Sequence, residues 1–265
     1  MMQTQEEMMI LVPQKLREIE TKYDVEVLWA VESGSRAWGF ESPDSDFDVR
    51  FVYKRKIQDY LDLIPVRDVI ELPIDDTWDV NGWDLDKTLK LLAKSNPTLF
   101  EWFQSPIVYY RTDCVERLAP LLENCLSEER MMYHYLSTAK VHMSKYLGGE
   151  LVKPKKYFYA LRLILACRWL AKYHTAPPVW FDELVKACFP AELKGSVDQL
   201  LAIKMASSES EEIAPLEDIH SYLETSIIEM DTYLKAHSIT NKVDWKALND
   251  FFLMELGMGE KHDLE

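Results

Sequence analysis

No apolar run in this 265-residue chain approaches the length a bilayer crossing needs, so a helical membrane span is excluded and a soluble protein is expected. The first residues, MMQTQEEMMILVPQK, are acidic ahead of a very short apolar run, and do not read as a signal peptide. Cysteine is sparse. Cys114, Cys125, Cys167 and Cys188 are scattered without C-x-x-C spacing, which argues against a zinc ribbon or a disulfide framework and for reduced thiols in a cytoplasmic protein. The six histidines show no ligand-like spacing: His134 and His142 are eight apart, and His174 precedes a proline-rich turn. Positive charge is also short. Thirty Lys and Arg face 45 Asp and Glu, a formal charge of −15, which argues against a general polyanion binder while leaving room for one local basic patch. Internal repeats and low-complexity tracts are missing too.

What is present is enough apolar residue, 48%, to bury a substantial core. Residues 5–22 read as an amphipathic helix, with Pro13 expected to break it or shift its start. Strands are expected at 25–33, 46–53 and 67–72, a short helix at 57–64, and a third core strand within 75–84 that turns into a helix. Asn96-Pro97 restarts that helix, with Asn96 as N-cap and Pro97 in the first helical position. From residue 113 onward the pattern is helical, including a stripe at Leu216, Ile219, Leu223, Ile227, Met230 and Leu234 that reads as a packing face. Gly148-Gly149 reads as a helix C-cap. The expectation is an α+β fold: an N-terminal domain, residues 1–112, with a mixed sheet, then an all-helical domain over 113–265.

The segment GSRAWGFESPDSDFDVRF, residues 34–51, stands apart. Gly34 ends the apolar β-branched run VEVLWAVES, and SRAWGF can form one or two helical turns with Ser35 at the N-cap. Free amides at a helix start favour anions, phosphate above all. After the turn-forming ESPDS, the run DFDVRF alternates: Phe47, Val49 and Phe51 point to one face, Asp46, Asp48 and Arg50 to the other. Two carboxylates two residues apart on a strand sit roughly 7 Å apart and repel, so a cation belongs between them, and Mg²⁺ prefers such hard oxygen ligands. Ordinary surface aspartates on a solvated edge are the plainer alternative for D-x-D alone. The Gly-Ser turn on the same loop tips the balance towards a site.

Strand, Gly34-Ser35, short helix, loop and Ser45-Asp46-x-Asp48 together resemble the signature of the DNA polymerase β nucleotidyltransferase superfamily. With KSNPTLFEWFQSPIVY (94–109) and KPKKYFYALRLILACRW (153–169), the chain is similar to the family of predicted nucleotidyltransferases that includes the RNA-ligase-associated ones. The resemblance implies a polymerase-β-like domain that uses two Mg²⁺ or Mn²⁺ ions to move a nucleoside monophosphate, ATP being one candidate donor, from a nucleoside triphosphate to a hydroxyl. It implies Asp46 and Asp48 as metal ligands and Gly34, Ser35, Arg36 and Ser45 as nucleotide-binding positions. A third carboxylate is expected. Asp79, in the apolar-Asp-apolar pattern of TWDVNGW, is preferred, and Asp84, ahead of a helix, is either the ligand instead or that helix's N-cap. Arg36 either assists or pairs with Asp44.

In KPKKYFYALRLILACRW, Lys155, Tyr159 and Arg162 fall on one helix face, an anion-binding pattern in an acidic protein. A solvated face paired with local glutamates is the plain alternative. The resemblance places Arg162 and Lys155 or Lys156 at the β- and γ-phosphates, with Tyr159 beside them. The acceptor stays open among an RNA end, a small hydroxylated molecule and a protein partner, as does a non-catalytic nucleotide sensor on the same fold. RNA repair is one setting the resemblance suggests. An extensive nucleic-acid track is not expected, since one basic helix offers about two or three phosphate contacts.

Overall fold

The structure is a computed structural model that describes residues 3–42, 45–73, 78–206, 211–237 and 242–258. Along the chain run α1 (Gln5–Tyr23), β1 (Glu26–Glu32), α2 (Gly34–Trp38), β2 (Phe47–Lys54), α3 (Ile57–Leu61), β3 (Val69–Glu71), β4 (Trp78–Asp84), α4 (Leu85–Leu92) and α5 (Pro97–Phe103). Then come β5 (Val108–Arg111), α6 (Cys114–Cys125), α7 (Glu128–Tyr146), α8 (Pro154–Tyr173), α9 (Phe181–Cys188), α10 (Lys194–Ala206), α11 (Glu217–Ala236) and α12 (Trp245–Glu255). The fold is α+β, with a mixed sheet and a helical C-terminal part, as the residue pattern implies.

Two compact units divide the chain. The first comprises Met1–Gly34, Asp46–Cys125 and Lys242–Glu265, the second Ser35–Ser45 and Leu126–Asn241. This differs from a single cut at residue 112. In the first unit, α6 is held by Ser95, whose hydroxyl donates to the Cys125 carbonyl, and by Arg117, which clasps the buried Glu255 of α12. Lys54 donates to the Glu255 carbonyl, and Tyr60 sets its ring against Phe252 at 5.1 Å. Such long-range ties leave no local mark in the sequence.

The sheet of the first unit has the order β3-β4-β2-β1-β5. Among the described residues, β2 and β4 are the pair that runs parallel, and their connection carries α3 and β3. Alternation in β2 sends Phe47, Val49, Phe51 and Tyr53 into a core shared with Val27, Ala30, Val80 and Tyr109. Met8, Val12, Leu16 and Ile19 of α1 close that core at helical spacing. Pro13 lies inside α1 and does not end it, because burial of that stripe and the Thr4–Glu7 capping box hold the helix across the missing hydrogen bond. The other face of β2 carries Asp48 and Arg50.

In the second unit, α7, α8 and α11 pack around Tyr157, Phe158, Leu161, Ile164 and Leu165, all inaccessible to solvent. The segment Ser35–Ser45 is part of this unit. Phe40 stacks on Phe158 at 4.9 Å and meets Phe181 edge-on, and the buried Lys204 ammonium donates to the Phe40 carbonyl. Gly148 and Gly149 lie just beyond the C-cap of α7, which is Leu147 and not the glycine pair; His174, at φ 58°, is a left-handed C-cap for α8. The strand 46–53 begins one residue later, at Phe47, and 25–33 loses a residue at each end.

Candidate active site

Asp48 lies opposite Asp79 in the parallel β2–β4 register, so strand pairing sets the two carboxylates side by side. Arg50, two residues along β2, reaches both: its Nη2 donates to Asp48 Oδ1 and to Asp79 Oδ2, each at 2.7 Å. Its Nη1 donates to the carbonyls of Asp79, at 2.7 Å, and Val49, at 3.1 Å. Asp46 is exposed just ahead of β2, near enough to act on Asp48 electrostatically. Burial pushes the Asp48 carboxyl up; Arg50 pulls it down, and the charges of Asp79 and Asp46 push it up again.

The sequence reading gave no role to two side chains that build this site. Arg50 is one; the alternation of β2 placed it on the aspartate face without showing what it bridges. Glu32 is the other. At the end of β1 and fully buried, it accepts the Asp48 N–H at 2.7 Å on one oxygen and the Tyr109 O–H at 2.5 Å on the other. A lone acid closing an apolar strand was its only signal. Gly34 completes the frame at φ +60°: a Cβ there would stand 2.0 Å from Asp48 Oδ2, so the missing side chain is the room the carboxylate occupies.

α2 begins at Gly34, so Ser35 lies in its first turn, buried, and not at an N-cap with its oxygen turned outward. The Ser35 carbonyl accepts from Phe40 N–H at 3.2 Å. Arg36 donates to the Ser45 carbonyl at 2.7 Å, and Ser45 Oγ meets Ser42 Oγ and accepts the Ser42 N–H, each at 3.0 Å. These bonds close the loop on itself; Asp44 lies outside the described residues.

Asp84 stands away from the Asp48–Asp79 pair. It is in register with Tyr53, and it stands five positions along the strand from Asp79, which puts the two on opposite faces. It is the N-cap of α4, accepting Asp86 N–H and Tyr60 O–H at 2.9 Å each and pairing with Arg55 at 3.4 Å. Burial raises its pKa against those partners.

On α8, Lys155, Lys156 and Tyr159 are half-buried, whereas Arg162 is only 4% exposed, its guanidinium 4.2 Å above the Trp38 ring. The expected open basic face therefore ends before Arg162, because the Trp38 ring covers that residue although it shares the face. Lys156 sits 4.1 Å over Tyr146 and 5.5 Å from Tyr159. His142 packs against both tyrosines and has no hydrogen-bond partner for its buried Nδ1 among the described residues.

Asp48 and Asp79 with Asp46 beside them form an all-oxygen donor set whose mutual repulsion calls for a cation, so the residues fit a hard divalent ion in kind. Among the described residues, no group of three or more such side chains already converges as a metal cage.

A mixed sheet with a central D-x-D strand behind a Gly-Ser turn, and an aspartate in register on its parallel neighbour, has the design of a polymerase-β-like domain. The chain belongs to the RlaP family, described as an RNA repair pathway DNA polymerase beta family, which it matches over residues 8–254. It is also 46% identical over 215 residues to the uncharacterized protein YcgL of Bacillus subtilis (strain 168), covering 80% of this chain and 83% of that one. Among the described residues no helix is long and apolar enough to cross a membrane.

Proposed function

We propose that the protein is a metal-dependent nucleotidyltransferase that moves a nucleoside monophosphate from a nucleoside triphosphate to the hydroxyl of an RNA end. The observation that carries this reading is the register match of Asp48 and Asp79, with Asp46 next to it. The family's description supports RNA repair as the setting. Asp46, Asp48 and Asp79 are the residues to hold Mg²⁺ or Mn²⁺. Such ions, when bound, acidify an acceptor hydroxyl and neutralise charge on the triphosphate.

The chain's own groups supply the rest. Glu32 fixes the backbone of Asp48, and Gly34 leaves space for its carboxylate. Arg50 keeps the two carboxylates aligned, so the donor oxygens need little rearrangement. The closed Arg36–Ser45 loop fixes the Gly34-Ser35 turn for the nucleotide. In the helical unit, Arg162 supports the Tyr159 ring from beneath through Trp38. In the transfer, the acceptor oxygen bonds to the α-phosphorus, the bond to the β-phosphate oxygen breaks, pyrophosphate leaves and the hydroxyl proton passes to solvent. A cytoplasmic location suits four free cysteines.

The test is transfer from labelled nucleoside triphosphates to an RNA with a free terminal hydroxyl, with Mg²⁺ present. Asp79→Asn is expected to abolish transfer and keep the fold. Asp84→Asn is expected to keep transfer and lose about 1 kcal/mol of stability, as a helix cap does. Full transfer by Asp79→Asn would refute the reading.

A further inference from the structure

The segment SKYLGGELVKPKKYFY, residues 144–159, ends α7 and begins α8. It places Lys145 in the last turn of α7, Lys153 at the N-cap of α8, and Lys155 and Lys156 in the first turn of α8, which holds no acidic residue. The start of a helix is its positive end, so three lysines there are unfavourable to the helix itself.

Many lysines elsewhere in this acidic chain pair with carboxylates: Lys56 with Asp24, Lys90 with Asp86, Lys140 with Asp231. Among the described residues, Lys145, Lys153 and Lys156 have none within ion-pair distance. Lys145 and Lys156 face aromatic rings instead. The Lys145 ammonium lies 5.1 Å from the Tyr146 ring, and Lys156 lies between Tyr146 and Tyr159. The His142 ring sits 5.2 Å from Tyr146 and 5.9 Å from Tyr159. Burial lowers the Lys156 pKa; Tyr146 opposes that shift, and Lys155, Lys153 and Lys145 add to it. Positive charge is thus concentrated in one place, at a cost, in a protein that is otherwise strongly negative.

We propose that this end of the helical unit binds a short single-stranded RNA segment, with Lys145, Lys153, Lys155 and Lys156 at its phosphates and the Tyr146 and Tyr159 rings against its bases. Cations interleaved with aromatic rings suit a strand whose bases are unpaired, because every base offers a ring face and every linkage a charge. Four cations match a few consecutive linkages and no long track. Base-paired RNA keeps its bases stacked inside the duplex, away from the tyrosines. The inference rests on the nucleotidyltransferase reading for the strand's purpose, as the acceptor, while the binding itself needs neither nucleotide nor metal.

The experiment is fluorescence anisotropy of a short fluorescein-labelled single-stranded RNA with the full chain in EDTA, alongside calorimetry of Mg²⁺-ATP. The wild-type chain should bind the RNA with a log affinity against log salt slope of about −3, from four phosphates at roughly 0.7 each. The double variant Lys145→Ala/Lys153→Ala should weaken RNA about ten-fold or more, flatten the slope by about 1.4, and leave Mg²⁺-ATP affinity unchanged. Tyr146→Ala should weaken RNA about ten-fold, and Tyr146→Phe, which keeps the ring, should restore it. Thermal melts confirm that each variant is folded. The proposal is overturned if the wild-type chain does not bind the RNA, or if the lysine variant leaves affinity and slope unchanged. It is also overturned if that variant weakens ATP as much as RNA, which would make the site a triphosphate site, or if duplex RNA competes as well as single strands. RNA binding that follows these expectations without any nucleotide transfer would instead sink the enzymatic reading and leave the binding site standing.

Discussion

Replacing Gly34 by alanine tests the frame around Asp48 most directly. Two costs combine. A left-handed backbone, φ +60° here, is disfavoured for an L-residue by roughly 1–2 kcal/mol. The new Cβ would also stand 2.0 Å from Asp48 Oδ2 and 2.9 Å from its Cγ. The carboxylate cannot simply step aside: Arg50 holds Oδ1, Glu32 holds the Asp48 N–H, and Ser33 N–H donates to the Asp48 carbonyl at 2.9 Å. Overpacking against a tethered group costs about 1–3 kcal/mol, for a total of about 2–5 kcal/mol. Gly257 is the internal control. It lies in the same unit at φ +76° with nothing within 4 Å of its added Cβ, so Gly257→Ala reports the backbone cost alone. Both variants share the small gain from a less flexible unfolded chain. In thermal melts followed by circular dichroism, Gly34→Ala should lower Tm by roughly 5–15 °C, clearly more than Gly257→Ala. Equal losses would show that Asp48 is not locked against Gly34, and the reasoning about the frame would fail.

Arg50→Met removes the shared partner of Asp48 and Asp79; as these side chains are 18–35% exposed, solvent screens part of the loss, and stability should fall by about 1–2 kcal/mol in EDTA. Added Mg²⁺ should recover part of it, since a cation can then take the bridging place, and a melt indifferent to Mg²⁺ would count against these carboxylates as a cation site. Asp231, held by Lys140 and Lys235, has its pKa pulled down from 3.8 to about 2. A depressed carboxylate stabilises above its unfolded pKa and loses that contribution as pH falls through the folded one. The Tm gap between wild type and Asp231→Asn should therefore be present at neutral pH and close between about pH 4 and pH 2.

The sequence by itself determined what is local. The apolar run into Gly34, the alternation through Asp48 and Arg50, and the Asn96-Pro97 helix start all depend on residues a few positions apart, and each is found in the structure. Asp84 as a helix cap was legible for the same reason: its spacing from the following helix is enough. Tertiary structure decided the rest. Asp79 stands beside Asp48 only because β2 and β4 pair in one register, and a one-residue slip would turn it to the other face. Arg50 has its bridging role only once that register exists. Pro13 is carried inside α1 by burial of a stripe against the sheet, a gain no local propensity contains. Arg162 looked like part of a basic face because helical spacing shows which residues share a side, not whether Trp38 covers it. The lysines of α7 and α8 gather for the same kind of reason, since Lys145 and Lys153 are eight positions apart in sequence and the packing of two helices brings their charges within reach of Lys156. Periodicity reports the side of an element. Only the folded chain reports what that side meets.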